Sequence, residues 1–214
     1  MIELRNASAK AIRFACLNFH YSKAVPSSSY SYNVYEDGEW CGVVLFGCGA
    51  TPNIGKPFGL IQGEIVELVR VALNGKQHTT SEVVAASLKR LHKDAPQIKM
   101  VVSFADADQN HVGTIYQATN WIYLGRTNEG DRSAFIINGK KTHPRTIGSA
   151  GGVQSLDWIK KNLDPNATEF KTKGKEKYIF CFDKKLRKQW SNKAKPYPKK
   201  GDNNGEINAS TASR

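Results

Sequence analysis

No run of about 18 apolar residues occurs in this chain, so no membrane-spanning helix is expected. Nor does an apolar core follow the first residues, where Glu3 and Arg5 stand instead; secretion is not expected and a cytoplasmic location is. Cysteine is sparse and scattered. Cys16, Cys41, Cys48 and Cys181 form no C-x-x-C pair, which argues against a zinc ribbon and for reduced thiols. No internal repeat is present. What remains is 214 residues, 40% hydrophobic with four Trp, enough for one α/β domain with an appendage.

Acidic residues are outnumbered, and the formal charge of +12 is unevenly placed. Residues 171–200 hold twelve Lys or Arg against Glu176 and Asp183, a net +10. Tyr178, Phe180, Phe182, Trp190 and Tyr197 are interleaved with these cations. A solvated basic tail is the plain alternative. Clustered cations with aromatics favour nucleic-acid contact, since phosphate binding gains from counterion release. Lys171, Lys173, Lys175, Lys184, Lys185, Arg187 and Lys188 are the candidate DNA-binding residues.

Hydrophobic spacing predicts a helix over residues 3–19, ended by the cluster His20, Tyr21, Ser22 and Lys23 ahead of Pro26. A hairpin follows, residues 30–35 and 40–46 about an Asp37-Gly38 turn. A breaker-rich connection then runs from Gly47 to Gly59. Residues 64–73 read as the strongest strand, and Thr80 or Ser81 caps a helix reaching His92. Residues 98–104 are a buried strand. Asp106, Asp108 and Asn110 introduce a short helix over 112–119, and a strand restarts at 121–124. Such alternation implies a mixed or parallel central sheet with flanking helices. Residues 133–138 are expected to pair back on 121–124, 142–152 to be loop and 153–163 helix. The expected organisation is an α/β domain over 1–165, a basic arm of strand plus helix over 166–192, and a disordered tail over 193–214.

Tyr116-Gln117-Ala118-Thr119-Asn120-Trp121 is similar to the pattern Tyr-Glu-Lys-x-Gly-Phe of the GCN5-related N-acyltransferase fold, whose Tyr often serves as general acid. That makes Tyr116 the first candidate for chemistry; a core tyrosine is the plain reading. After the strong strand this fold normally carries a glycine pair at a helix N-terminus, holding the coenzyme A diphosphate. Here residues 74–81 read NGKQHTTS, without the pair; Ser81 still offers a hydroxyl at the helix start. Asp106 ends a buried strand, where α/β sheets present ligands, or else caps the next helix. His20, Tyr21, Ser22 and Lys23 suit a flipped base, or simple capping by His. Arg70, inside an apolar strand, needs an anionic or polar partner. His20 with Asp106 is a candidate metal pair lacking a third ligand.

Read together, H-Y-S-K, the strand E-L-V-R-V-A-L, the block K-M-V-V-S-F-A-D-A-D-Q-N-H-V-G-T-I-Y-Q-A-T-N-W and the closing F-D-K-K-L-R-K-Q resemble the phage Mom family of DNA-modification proteins. The resemblance implies an acyltransferase-like fold and conversion of adenine in double-stranded DNA to N6-carbamoylmethyladenine, masking phage DNA from restriction in the host cytoplasm. It makes His20, Arg70, Asp106 and Tyr116 the candidate active-site residues, with Ser103 in the S-F-A-D block and Tyr21, Ser22, Lys23 and Ser81 near substrate or donor. It also brings iron, Fe(II), as a candidate cofactor. The installed group is an isomer of a glycyl amide. A glycyl donor such as glycyl-tRNA would therefore supply every atom, where acetyl-coenzyme A would not. An ordinary acetyl-coenzyme A-dependent N-acetyltransferase and a non-catalytic DNA-binding protein are the alternatives.

Overall fold

Ile2 and Leu4 alternate with Glu3 and Arg5, and that period of two makes Ile2–Asn6 a strand, β1, where a helix was expected. Ser8 then caps α1 (Ala9–Phe19) by accepting from Ala11 N. The computed structural model describes residues 1–49, 51, 53–127, 133–172 and 174–199. The elements continue as β2 (Tyr30–Glu36), β3 (Glu39–Gly47), β4 (Ile65–Leu73), α2 (Thr80–Asp94), β5 (Met100–Asp106), α3 (Thr114–Ala118), β6 (Ile122–Thr127), β7 (Ser133–Ile137), β8 (Lys140–Thr142), α4 (Pro144–Ser149), α5 (Leu156–Asn162), β9 (Thr168–Lys171), β10 (Lys175–Cys181) and α6 (Lys184–Ser191).

The chain forms two compact units. The first comprises residues 1–105, 113–125 and 177–199 and is built on a seven-stranded sheet ordered β1-β2-β3-β4-β5-β10-β6. β1 to β4 form antiparallel ladders, and β4 pairs with β5 in parallel. α2 and α3 cover one face over Val44, Phe46, Leu68 and Val101. α1 covers the other face over Val43, Leu45 and Ala72, and α6 lays Leu186 and Trp190 against Phe58, Met100 and Ile122.

Two expectations change here. β10 is no appendage: Tyr178, Ile179 and Cys181 are buried, serving both faces, so the strand belongs inside the sheet despite its lysines. And the start of the tail is placed. Lys195 N donates to Tyr123 O, Tyr197 Oη to Trp121 O, and Pro198 O accepts from Gln117 Nε2. Residues 200–214 lie outside the described residues.

The second unit comprises residues 106–112 and 126–176 among those described. Its sheet is β8-β7-β9, so β7 pairs with β8 and β9 and not with β6, whose neighbour is β10. Phe135, Ile137, Ile147 and Ile159 form its core. Residues expected to be loop supply α4, with Pro144 at its first turn, where a missing N–H costs nothing. Arg126 reaches the buried carboxylate of Glu176 through Nε (2.8 Å) and Nη2 (2.6 Å).

Candidate active site

The β4–β5 ladder runs through three pairs, ending at Glu67 and Val102. At the next step Ser103 Oγ lies 2.9 Å from Leu68 O and 2.8 Å from Tyr116 Oη. A hydroxyl has one proton and a carbonyl only accepts, so Ser103 donates to Leu68 O and receives the proton of Tyr116. Tyr116 is buried, with Trp121 and Tyr178 rings at 5.0 and 5.1 Å. Burial pushes its phenol above the ordinary tyrosine range, and the charge of Glu67 adds to that. Gly113 makes the placement possible. Its φ is +74°, and a Cβ there would lie 2.4 Å from the Tyr178 ring.

Glu67 escaped the sequence reading. It is half-buried, and Gly49 (φ +78°) closes over it, a Cβ there falling 2.9 Å from Glu67 Oε2. The signal was available: Glu67, like Arg70, is a charge inside an apolar strand.

Arg70 owes its direction to a bulge. Leu45 pairs with Arg70 and Phe46 with Leu68, so Val69 is the extra residue. Val66, Leu68, Val71 and Leu73 accordingly face α2, while Val69 and Ala72 face α1. Arg70 Nη1 lies 2.9 Å from His20 Nδ1 and 3.0 Å from Nε2, and Arg70 Nε is buried without a partner. His20 Nδ1 also accepts from Ser22 N (3.1 Å), which assigns the ring proton of the neutral imidazole to Nε2. Ser22 Oγ is 3.0 Å from the same nitrogen. Tyr21 is half exposed and lies 4.2 Å from the His20 ring. Lys23 Nζ donates to Asn18 O, closing the end of α1. The structure thus joins His20, Tyr21, Ser22 and Arg70 in one cluster, and Ser103 with Tyr116 in another.

Ser81 belongs to neither. Its Oγ is 3.4 Å from Thr79 Oγ1, and it lies at a cavity of about 390 Å³ walled by Ala85, Leu88, His92, Ala118, Phe180 and Phe182. α3, which carries Tyr116, supplies one wall of that cavity through Ala118 and Thr119. Thr79, rather than Thr80 or Ser81, caps α2 by accepting from Glu82 N. Asp106, in the second unit, accepts from Asp108 N (3.1 Å) and so performs the capping role open to it.

The chain matches the Mom protein family over residues 2–199. This protein belongs to the Mom family. It is 27% identical over 190 residues to the methylcarbamoylase mom of Escherichia phage Mu, covering 84% of this chain and 76% of that protein. Among solved structures, an aminoglycoside acetyltransferase in complex with coenzyme A and kanamycin is similar, with TM-score 0.51 and 10% identity, over 88% of this chain and 98% of that one. A spermidine N-acetyltransferase variant from Vibrio cholerae gives TM-score 0.49 and 9% identity, over 88% and 98%. The fold is that of the GCN5-related N-acyltransferases.

Two groups implied by that kinship can be set against the side chains of this Mom protein. At the α2 N-terminus, where the fold would hold a coenzyme A diphosphate, His78 N donates to Glu36 Oε2 (2.7 Å), and Glu82 occupies the first turn beside His78. Two carboxylates already stand beside this end of α2, so a diphosphate would meet like charge there, and the residues do not fit that group. Iron fares no better at His20, where Nδ1 accepts a backbone N–H and a guanidinium lies against the ring. Among the described residues no three His, Cys, Asp or Glu converge to hold a metal.

The candidate phosphate contacts are spread over both units. Lys171 and Lys175 are exposed in the second, and Lys173 lies outside the described residues. Lys184, Lys185 and Lys188 are exposed on α6 in the first, whose Arg187 donates to Asn120 O.

Proposed function

We propose that this protein installs a carbamoylmethyl group on N6 of adenine in double-stranded DNA, and that the group comes from a glycyl ester such as glycyl-tRNA. The observation that carries the reading is the family match over residues 2–199, joined to a hydroxyl pair, Tyr116 and Ser103, where β4 and β5 part. The carboxylate-filled α2 N-terminus supports an ester donor over coenzyme A.

In this reading the flipped adenine stacks on Tyr21, and His20 Nε2–H donates to a ring nitrogen. N6 is a weak nucleophile, its lone pair being delocalised into the ring. A carboxylate accepts its proton as the N6–C bond forms at the ester carbonyl. Glu67, in the last pair of the β4–β5 ladder and next to Leu68, whose carbonyl holds Ser103, is favoured for this, and Asp106 is the competing base. The ester C–O bond breaks, and the departing oxygen takes the proton of Tyr116, which is returned from the carboxylic acid. The glycyl amide then isomerises: the N6–C(=O) and CH₂–NH₂ bonds break, the N6–CH₂ and C(=O)–NH₂ bonds form, and no atom is added or lost. Lysines of α6 grip phosphates without reading sequence. The product masks phage DNA from restriction enzymes in the host cytoplasm.

The test is expression in bacteria, digestion of plasmid DNA to nucleosides and mass spectrometry of deoxyadenosine. A gain equal to one glycyl residue, carrying label from isotopic glycine and absent in Tyr116→Phe, is expected. Unmodified DNA from folded protein returns the chain to the DNA-binding alternative; label from acetyl-coenzyme A alone returns it to the acetyltransferase one.

A further inference from the structure

From residue 4 to residue 35 the sequence contains no Asp or Glu, while Arg5, Lys10, Arg13 and Lys23 supply four cations. α1 lies within this stretch, and its outward stripe is Lys10, Arg13, Phe14 and Asn18, all exposed. Phe14 is the anomaly. It is 51% exposed on a helix that has an inner face to bury aromatics in. Its ring is nevertheless fixed from behind, edge-on to Phe19 at 5.6 Å and tilted against Trp40 at 5.9 Å. Trp40 is itself held by Nε1 donating to Asn33 Oδ1. A braced, solvent-facing ring flanked by cations is the chemistry of a side chain that enters a base stack.

Phe14 and Phe19 lie five residues apart in α1, roughly 7.5 Å of helix rise, and the extended His20 and then Tyr21 follow directly beyond its end. A duplex with its phosphates on Lys10 and Arg13 therefore has one aromatic at its stack and another, beside His20, where an extruded base would go.

We propose that Phe14 is a wedge that fills the gap in the DNA duplex when the target adenine leaves the stack, with Lys10 and Arg13 on the flanking phosphates. This rests on the adenine-modification reading above and makes Phe14 a positioning residue, not a catalytic one.

The test uses the full chain and a duplex carrying 2-aminopurine, whose fluorescence rises when it unstacks. Wild-type protein should brighten it. Phe14→Ala should lower the extrusion equilibrium about tenfold, the size of one base–aromatic contact. The loss should be repaired when the 2-aminopurine lies opposite an abasic site, where the duplex needs less opening. Phe14→Leu, which keeps an apolar surface over Phe19 and Trp40, should give intermediate brightening. Lys10→Ala and Arg13→Ala should weaken binding and each reduce the salt slope by about one. A wild-type protein that fails to brighten the duplex overturns the wedge. So does Phe14→Ala brightening it fully, or losing signal equally on the abasic duplex. Sedimentation showing a wild-type dimer that Phe14→Ala dissociates would give this face to a second copy and also overturn the proposal. Plasmid nucleosides keep the two readings apart: unmodified wild-type DNA fails the adenine reading, whereas modified DNA with an inert Phe14→Ala fails the wedge alone.

Discussion

α1 and α2 pack on opposite faces of the same β4 strand, and each begins with a hydroxyl cap, Ser8 and Thr79. Their electrostatic settings are opposite. The α2 N-terminus is closed by Glu36 and Glu82, whereas the surroundings of α1 in sequence are free of acids for 32 residues. One helix has satisfied its dipole within the protein. The other presents cations and aromatics outward and carries the His20 cluster at its end. On the proposed reading, recognition moves from a diphosphate at α2 to a polyanion along α1.

The largest effect expected concerns neither helix but the hydroxyl pair between the strands. Tyr116→Phe should cut modification by about 10² to 10⁴-fold while leaving the melting temperature nearly unchanged, as nucleoside mass spectrometry and calorimetry would show. The same variant sharpens a pH argument. Burial raises the folded-state pKa of Tyr116 above its unfolded value, so its stabilising contribution is complete below the unfolded pKa and is lost as pH rises through the folded one. Melting temperatures followed upward through about pH 10 should fall less steeply for Tyr116→Phe than for wild type.

Next comes the α1 side. Arg70→Lys keeps the charge but loses the planar fork that reaches His20, and turnover should drop about 10²-fold through misplaced geometry. Equal turnover would remove Arg70 from the site. At α2 the effects should be on stability alone. Thr79→Ala is expected to cost about 1 kcal/mol in urea unfolding, with modification per folded molecule unchanged. If turnover fell instead, the α2 end would rejoin the functional site and the contrast between the helices would collapse. The smallest effects belong to α6: Lys184→Ala, Lys185→Ala and Lys188→Ala should each flatten the salt dependence of DNA binding by about one, without altering product.

Where local chemistry dictated structure, the sequence was transparent. The Asp37-Gly38 hairpin and the β4 strand stand as the spacing implies. Long-range choices were not visible. β1 is five residues of mixed charge and apolar character that become a strand because β2 is there to pair with them. The lysines of β10 read as an arm because nothing local says that Tyr178 will meet Tyr116 and Tyr123. Of the candidate site, Tyr116 and Ser103 are the residues their motif names. Glu67 was hidden by the strand pattern around it, and the redirection of Arg70 depends on a bulge set by register with β3.

Residues 193–199 carry one more implication. β6 ends the order of the larger sheet, and the carbonyl of its Tyr123 is answered by Lys195 N. The chain thus supplies its own blunting strip, with Pro196 and Pro198 unable to donate onward to another strand. Shortening the protein to Asn192 would bare that border, and the expected result is self-association by strand addition rather than a smaller soluble enzyme.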